Sequence, residues 1–349
     1  MASGLLQGHT DSRFEPLRDV IEGNLASGAE CGLSVTVDVD GRTVVDVHGG
    51  FADEARARPW QPDTIVNVWS TTKTVTSLAV LMLADRGLVD LDAPVAAYWP
   101  EFAANGKEQV LVRHVMSHSS GVAGWDAPFA LTDMFDRERS TALLAAQAPW
   151  WEPGTASGYH ALDYGHLLGE VVRRVSGKTL TEFVASEIAG PLGADFQVGA
   201  KPADWARCAQ IIPPPPLPLD TTGLDPDSVL VKTLSGPPPD AAAANTDGWR
   251  QAEIGAANGH GNARSVARVL SAVTLGGTVD GVRLLSPETI GQVFPSRPTG
   301  PTCSSASRSA SASATRCPSR RASLTSPGEG SASGAAGAAL SSSWTWTAA

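Results

Sequence analysis

The strongest structural signal in the chain is the segment NVWSTTKTVTSLAVLMLADRG, residues 67–87. Residues 64–69 are rich in β-branched and aromatic side chains, which predicts a short strand. From Ser70 to Arg86 the apolar residues occupy every side of a helix, and such a helix is typically buried. Gly87 is well suited to end it, because glycine readily adopts the left-handed conformation at a helix C-terminus. The segment therefore predicts a short strand followed by a core helix.

A helix and a hairpin are predicted upstream of this core helix. Apolar residues recur at helical spacing over residues 13–27, and Gly28 can end that helix. Valines then alternate over residues 35–39 and 45–47, on either side of Asp40-Gly41. This dipeptide accepts the positive φ angles of a tight turn, so we expect two antiparallel strands after the helix.

Helical patterns dominate the chain downstream, from Asp90 to about Asn245. Helices are predicted near residues 110–118, 140–148, 161–176, 179–189 and 263–275, and a strand over 282–285. Residues 211–239 hold two proline runs, which exclude a helix or a central strand and predict a long surface lid.

The charge and hydrophobic content narrow the function classes. The 349 residues carry 26 Lys and Arg against 36 Asp and Glu, a net charge of −10, and 42% of them are hydrophobic. A large core is therefore expected, and nucleic-acid binding is disfavoured because it needs clustered cations. The N-terminal residues lack a secretory signal and no run of eighteen apolar residues occurs, so we expect a cytoplasmic protein without membrane contact.

Cofactor and metal signals are weak. The four cysteines are scattered without a Cys-x-x-Cys pair, which favours a reducing compartment. His114 and His118 are one helical turn apart but have no third ligand nearby in sequence, so we expect no metal. Residues 256–262 are interpreted as a glycine-containing turn without phosphate-binding residues. We therefore expect no cofactor.

The last 47 residues, 303–349, differ in composition from the rest, with 14 Ser and 12 Ala. Such a composition predicts disorder. The genetic code offers an alternative. Because Trp has a single codon, residues 344–347 read one base earlier give x-Asp-x-Asp, where x is Leu, Val or Met. We hypothesise that the reading frame slipped near Pro301 and that a strand of the fold is missing.

Chemistry is indicated at the start of the core helix. Ser70 and Lys73 are three residues apart, which places both side chains on one helix face, with Cβ atoms about 5–6 Å apart. An ordinary lysine, with a pKa of about 10.4, is charged and cannot act as a base, but burial lowers that pKa. The helix N-terminus favours an alkoxide, and the Ser70 N–H can donate to an oxyanion. The alternative is a capping serine and a solvated lysine, for which an apolar helix is a poor host.

Three blocks in order resemble the serine β-lactamase and penicillin-recognising superfamily, and most of all the family VIII carboxylesterases, which are similar to class C β-lactamases. They are NVWSTTK (67–73), RGLVDLDAPV (86–95) and VRHVMSHSSG (112–121). The resemblance covers about residues 15–295. It implies an α+β fold, an antiparallel β-sheet flanked by helices plus an inserted mainly helical domain, with the site between them. We accordingly expect a sheet domain at 1–88 and 250–302 and a helical domain at 89–249.

The same resemblance implies a proton-transfer tyrosine at the head of a Tyr-x-Asn motif. Of the three tyrosines, Tyr159 lies where that motif falls, while packing roles are expected for Tyr98 and Tyr164. Ala161 replaces the motif's Asn, which in lactam-cleaving relatives holds the substrate amide, so ester substrates are favoured. A Ser-His-Asp arrangement with His118 or His160 is the weaker alternative. We assign Trp125 and His160 as candidate substrate-binding residues, with core packing an equal alternative for Trp125.

A third element is implied on the strand that edges the site, where it supplies the second oxyanion donor. The resemblance implies Lys-Thr-Gly in lactamases and often Trp-Gly-Gly or His-Gly-Gly in esterases, and we expect no copy of it on that strand, although Trp-Gly-Gly can be read out of frame beneath residues 334–336. Losing one such donor typically costs about 10²–10³ in rate, so we expect an impaired enzyme.

These observations predict a serine carboxylesterase acting on small, short-acyl esters, with Ser70 as nucleophile and Lys73 and Tyr159 as base. A β-lactamase or D-amino-acid peptidase is the enzymatic alternative. The non-enzymatic alternative is a catalytically idle scaffold or a damaged gene product.

Overall fold

The computed structural model contains two three-stranded antiparallel sheets and a two-stranded hairpin, connected by helices. It describes residues 6–215, 223, 225, 228–234 and 241–293. A short helix at Val229–Leu234 corrects the exclusion of a helix from residues 211–239, since this segment between the two proline runs contains no proline. Most of the rest of the predicted lid and the whole tail from residue 303 lie outside these residues. Within the described ranges, no helix combines the length and the apolar character needed to cross a bilayer.

The first strands precede the core helix, and most of the helices follow it. The strands are β1 (Leu6–Thr10), β2 (Gly32–Val39), β3 (Arg42–Gly50), β4 (Val66–Asn67), β5 (Phe196–Val198), β6 (Gly259–Gly261), β7 (Thr278–Val279) and β8 (Val282–Arg283). The helices are α1 (Glu15–Ser27), α2 (Thr72–Asp85), α3 (Val112–Met116), α4 (Arg137–Ala146), α5 (Tyr164–Ser176), α6 (Leu180–Phe183), α7 (Gly190–Leu192), α8 (Val229–Leu234), α9 (Asp247–Gln251), α10 (Ala263–Thr274) and α11 (Pro287–Val293).

The first sheet has the strand order β1-β3-β2 and confirms the predicted hairpin. Asp40 and Gly41 have φ angles of 51° and 77°, and a two-residue type I′ turn requires positive φ at both of its central residues. Val37 pairs with Val45, and a bulge follows it. Strand β1 was not predicted, because its five residues, LQGHT, lack the alternation of a typical strand.

Strand β2 forms one edge of this sheet, since among the described residues only β3 pairs with it. Its eight residues are all half-buried, and α10 packs near it through hydrogen bonds to Ser34 and Asp38. A free edge leaves backbone groups that a further strand can pair with. The hypothesis of a strand lost by a frame slip concerns residues outside the described ranges, and it stays a prediction.

The second sheet has the order β4-β6-β5 and corrects the interpretation of residues 256–262 as a turn. Residues 259–261 are the central strand, where Val66 and Phe196 both pair with Gly261. Glycine is required here because a Cβ atom on Gly259 would lie 2.7 Å from both the Phe196 ring and Thr72 Oγ1. The strand therefore lies directly against the start of α2.

Helix α2 confirms the predicted core helix, although it begins at Thr72, after a 3₁₀ turn at Trp69–Thr71. Every residue from Thr72 to Leu83 is buried, and Gly87 has a φ of 69° just beyond its end. Its apolar side chains join one cluster with those of α5, including Leu167 and Val171. This cluster draws on both predicted domains, and their boundaries stay a prediction.

The chain between α2 and α4 is less helical than predicted. Only α3 and short 3₁₀ turns at 95–97, 100–103 and 131–135 form there. The prolines and glycines in this stretch disfavour a continuous helix, because proline lacks an N–H and glycine loses more entropy on folding.

Candidate active site

Ser70 lies in the 3₁₀ turn that connects β4 to α2. Trp69, just before it, has a φ of 47°, an unusual conformation for a residue with a bulky side chain. Thr72 Oγ1 stabilises the turn by donating to the Trp69 carbonyl at 2.6 Å and accepting the Gly259 N–H at 2.8 Å. The sequence thus fixes the half-buried Ser70 against strand β6.

Lys73 is buried beside Ser70, with only 3% of its surface exposed. Its Nζ atom lies 3.2 Å from Ser70 Oγ, 2.8 Å from the carbonyl oxygen of Ala161 and 2.9 Å from that of Ala256. A neutral amine has two N–H groups and one lone pair. Since the two carbonyls can accept both N–H groups, the lone pair is left to face the Ser70 hydroxyl.

Burial lowers the pKa of Lys73 to about 7, while the nearby Asp163 carboxylate acts in the opposite direction. A large fraction of the amine is therefore uncharged at neutral pH. Asp163 itself is buried at the start of α5, and both its carboxylate oxygens lack a hydrogen-bond partner among the described residues. Burial raises the pKa of Asp163 well above its ordinary value.

Tyr159 reaches Ser70 from the other side. Its hydroxyl donates to Ser70 Oγ at 2.9 Å, and its ring centroid lies 4.8 Å from Lys73 Nζ. The residue is 47% exposed, so a substrate can contact it. Burial of the hydroxyl raises the pKa of Tyr159, which the Ser70 hydrogen bond partly offsets. The resting side chain is therefore a neutral phenol that donates a proton, rather than a phenolate.

The two candidate substrate-binding residues lie below the surface. Trp125 is 5% exposed, stacks on Phe129 with centroids 4.2 Å apart, and donates its indole N–H to the Ser140 carbonyl. His160 is completely buried, and its two ring nitrogens contact Gly158 O at 2.7 Å and Ser120 Oγ at 2.6 Å. A binding role for either residue stays a prediction, and these contacts favour a packing role.

The two remaining tyrosines make their hydrogen bonds away from Ser70. Tyr164 is buried and shares a hydrogen bond of 2.6 Å with Ser77, one turn below Lys73 on α2. The Tyr98 hydroxyl accepts the backbone N–H of Asp90 at 2.7 Å. Neither makes a hydrogen bond to Ser70 in the described part of the chain.

Two functional contributors were missed from sequence, the carbonyls of Ala161 and Ala256 that hold the Lys73 amine. Every residue carries such a carbonyl, so no side-chain pattern marks them. The sequence does contain His48-Gly49-Gly50, one form of the third family element in esterases. It lies in β3, and none of the hydrogen bonds in the described ranges links it to Ser70, Lys73 or Tyr159.

Comparisons with known proteins agree with this geometry. The Beta-lactamase family model matches residues 17–312. The chain is 39% identical over 268 residues to the Esterase/beta-lactamase LipL of Mycobacterium tuberculosis, covering 74% of this chain and 62% of LipL. It is 35% identical over 162 residues to the Esterase EstB of Burkholderia gladioli, covering 41% of each. The chain thus spans less than two thirds of both curated relatives.

Solved structures are similar over more of their length. A family VIII carboxylesterase is 41% identical with a TM-score of 0.76, covering 83% of this chain and 77% of that one. A penicillin-binding protein homologue from Caulobacter crescentus is 38% identical with a TM-score of 0.75, covering 82% and 76%. With the family model matching most of the chain and the serine, lysine and tyrosine side chains in contact, the chain belongs to the Beta-lactamase family.

Proposed function

We propose that the protein is a serine carboxylesterase that hydrolyses small, short-acyl esters through an acyl-enzyme on Ser70. One observation carries this proposal. Ser70 Oγ lies within hydrogen-bond distance of both a buried amine, Lys73 at 3.2 Å, and a phenol, Tyr159 at 2.9 Å. A nucleophile within reach of both a base and an acid has the parts needed for acyl transfer.

In acylation, Ser70 Oγ attacks the ester carbonyl carbon and its proton passes to the Lys73 lone pair. The carbon–oxygen bond of the ester then breaks, and the departing alkoxide takes the Tyr159 phenolic proton. In deacylation, water attacks the acyl carbon and gives a proton to the Tyr159 phenolate. Ser70 Oγ finally leaves with the proton held by Lys73, which restores the resting state.

Two features favour esters over lactams. Ala161 has no side-chain amide to hold a substrate amide, and it stands where the resemblance places an Asn. A family VIII carboxylesterase and two proteins named esterases are among the similar proteins. The name Esterase/beta-lactamase of LipL favours lactam cleavage as the second candidate activity.

The oxyanion is expected to accept the Ser70 backbone N–H at the start of α2, where the helix dipole also favours negative charge. Neither Lys-Thr-Gly nor Trp-Gly-Gly is present among the described residues to supply a second donor. We therefore propose a slow enzyme. We further propose a cytoplasmic location and a small-molecule ester as the ligand of the site.

Turnover of p-nitrophenyl acetate and nitrocefin by the wild type and Ser70→Ala tests the function. Ester turnover that the substitution abolishes supports the esterase. Preferential nitrocefin cleavage supports the lactamase instead. No turnover by either protein supports an idle scaffold and contradicts the proposal.

A further inference from the structure

His118 holds the backbone on both sides of Tyr159. The Gly158 N–H donates to the His118 carbonyl oxygen at 3.0 Å, and the His160 N–H donates to His118 Nδ1 at 3.1 Å. The His118 and Tyr159 rings are also in contact, with centroids 4.8 Å apart. One residue thus fixes the residue before the tyrosine, the residue after it, and the tyrosine ring.

This arrangement requires a particular form of the His118 ring. Nδ1 can accept the His160 N–H only if it carries no proton, so the ring must be neutral with its proton on Nε2. Burial, together with the charges of His160 and Lys73, lowers the pKa of His118 well below its ordinary value. The rings that pack on His118 belong to Tyr159, His160 and Tyr164. None of them carries a negative charge that would favour a protonated imidazole, so His118 stays neutral at neutral pH.

The backbone of His118 is adapted to this position. Its φ of 61° lies in the left-handed region, where His, Asn and Asp occur several-fold more often than other residues with a side chain. That conformation directs both the carbonyl and the side chain toward residues 158–160. His160 is held in turn by Ser120 through a hydrogen bond of 2.6 Å. The block at residues 112–121, which supplies no group to the reaction, therefore has a structural link to the site.

We infer that His118 is a positioning residue, which keeps the Tyr159 hydroxyl within reach of Ser70 through its hydrogen bonds to Gly158 and His160. The inference rests on the proposed function, because it assigns His118 a role in the same reaction. His118 makes no hydrogen bond to Ser70 or Lys73 among the described residues, so it acts only through Tyr159.

A matched pair of substitutions isolates the hydrogen bond. His118→Asn retains an acceptor at the place of Nδ1 and tolerates the left-handed backbone. His118→Gly tolerates the same backbone but has no acceptor, and both variants lose the ring. We expect His118→Gly to lower kcat for an alkyl ester about 10²-fold with little change in KM, and His118→Asn to stay within about tenfold of the wild type.

A double-mutant cycle separates positioning from general loss of structure. In a Tyr159→Phe background, His118→Gly should cost little further activity, because the hydroxyl that it misplaces is already absent. His114→Asn is the control, since the His114 ring accepts from Leu111 N–H instead. Equal activity of the Gly and Asn variants, or fully additive losses in the cycle, would overturn the inference.

A measurement that needs no turnover decides the inference even if the proposed function fails. Labelling with 3-fluorotyrosine places one fluorine on each of the three tyrosines, and Tyr159→Phe assigns the Tyr159 resonance. Because both variants lose the ring that packs on Tyr159 and Tyr164, the informative comparison is between them: we expect the Tyr159 resonance to be shifted or broadened in His118→Gly relative to His118→Asn. The same Tyr159 resonance position and linewidth in His118→Gly and His118→Asn refutes positioning, whereas an inactive wild type refutes only the esterase.

Discussion

The hydroxyl of Tyr159 lies 2.9 Å from that of Ser70, although 89 residues separate the two in sequence. Lys73 approaches the same Ser70 oxygen from within its own helix, at 3.2 Å. Ser70 therefore lies between the proposed base, which local helix geometry places beside it, and the proposed acid, which comes from a distant segment.

Replacing Lys73 with Met should abolish proton removal from Ser70, because the thioether has a similar length but no basic lone pair. We expect kcat/KM for p-nitrophenyl acetate to fall by about 10²–10⁴-fold. Lys201→Met is the matched control, since Lys201 is exposed at the surface. A Lys73→Met enzyme as active as this control would exclude Lys73 as the base.

Replacing Tyr159 with Phe should impair substrates according to their leaving groups. An alkoxide needs the phenolic proton to depart, so hydrolysis of an ethyl ester should fall about 10²-fold or more. The p-nitrophenolate group leaves without protonation, so its acylation should fall much less. Tyr98→Phe, whose hydroxyl binds only the Asp90 backbone, is the control. Equal losses on both esters would argue against an acid role.

The pH dependence should follow the titration of Lys73, whose pKa burial lowers to about 7. Below this pH the amine is an ammonium and cannot accept the Ser70 proton, so kcat/KM should rise as the pH increases through about 7. Asp163→Asn abolishes the negative charge that Asp163 carries when ionised and that favours the ammonium, so the acid limb should move to lower pH and never to higher pH. A pH profile that is flat across the neutral range would contradict this assignment.

The core helix should be sensitive to truncation. Leu78 is completely buried in α2, so Leu78→Ala should lower the free energy of unfolding by about 2–5 kcal/mol. Leu88 is 51% exposed just after the helix, and Leu88→Ala should change that free energy by less than about 0.5 kcal/mol. Urea denaturation monitored by circular dichroism measures both. Similar values for the two variants would contradict the burial of α2.

The frame-slip hypothesis predicts that resequencing the gene near the codon for Pro301 finds one inserted or deleted base. The polypeptide read in the restored frame should unfold at a higher temperature, because an added strand can pair with the free edge of β2. An intact reading frame, with related genes carrying the same Ser/Ala tail, would remove the hypothesis.

The sequence alone determined the parts of the fold and site that depend on local spacing. Ser70 and Lys73 share a face because three residues make almost one helical turn, and the apolar surface around them predicts the buried α2. The turn at Asp40-Gly41 is equally local, since it needs only two residues that accept positive φ. Tyr159 was found from the family resemblance, as no local periodicity marks it.

Tertiary structure alone decided the contacts between segments far apart in the chain. The carbonyls of Ala161 and Ala256 meet at the Lys73 amine, which neither residue type announces. The central strand of the second sheet needs glycine at residue 259, because Phe196 and Thr72 leave no room there for a side chain. Trp125 is buried because its indole finds a stacking partner and a carbonyl. Packing selects these pairings by shape and hydrogen bonding between segments, and a linear pattern contains neither.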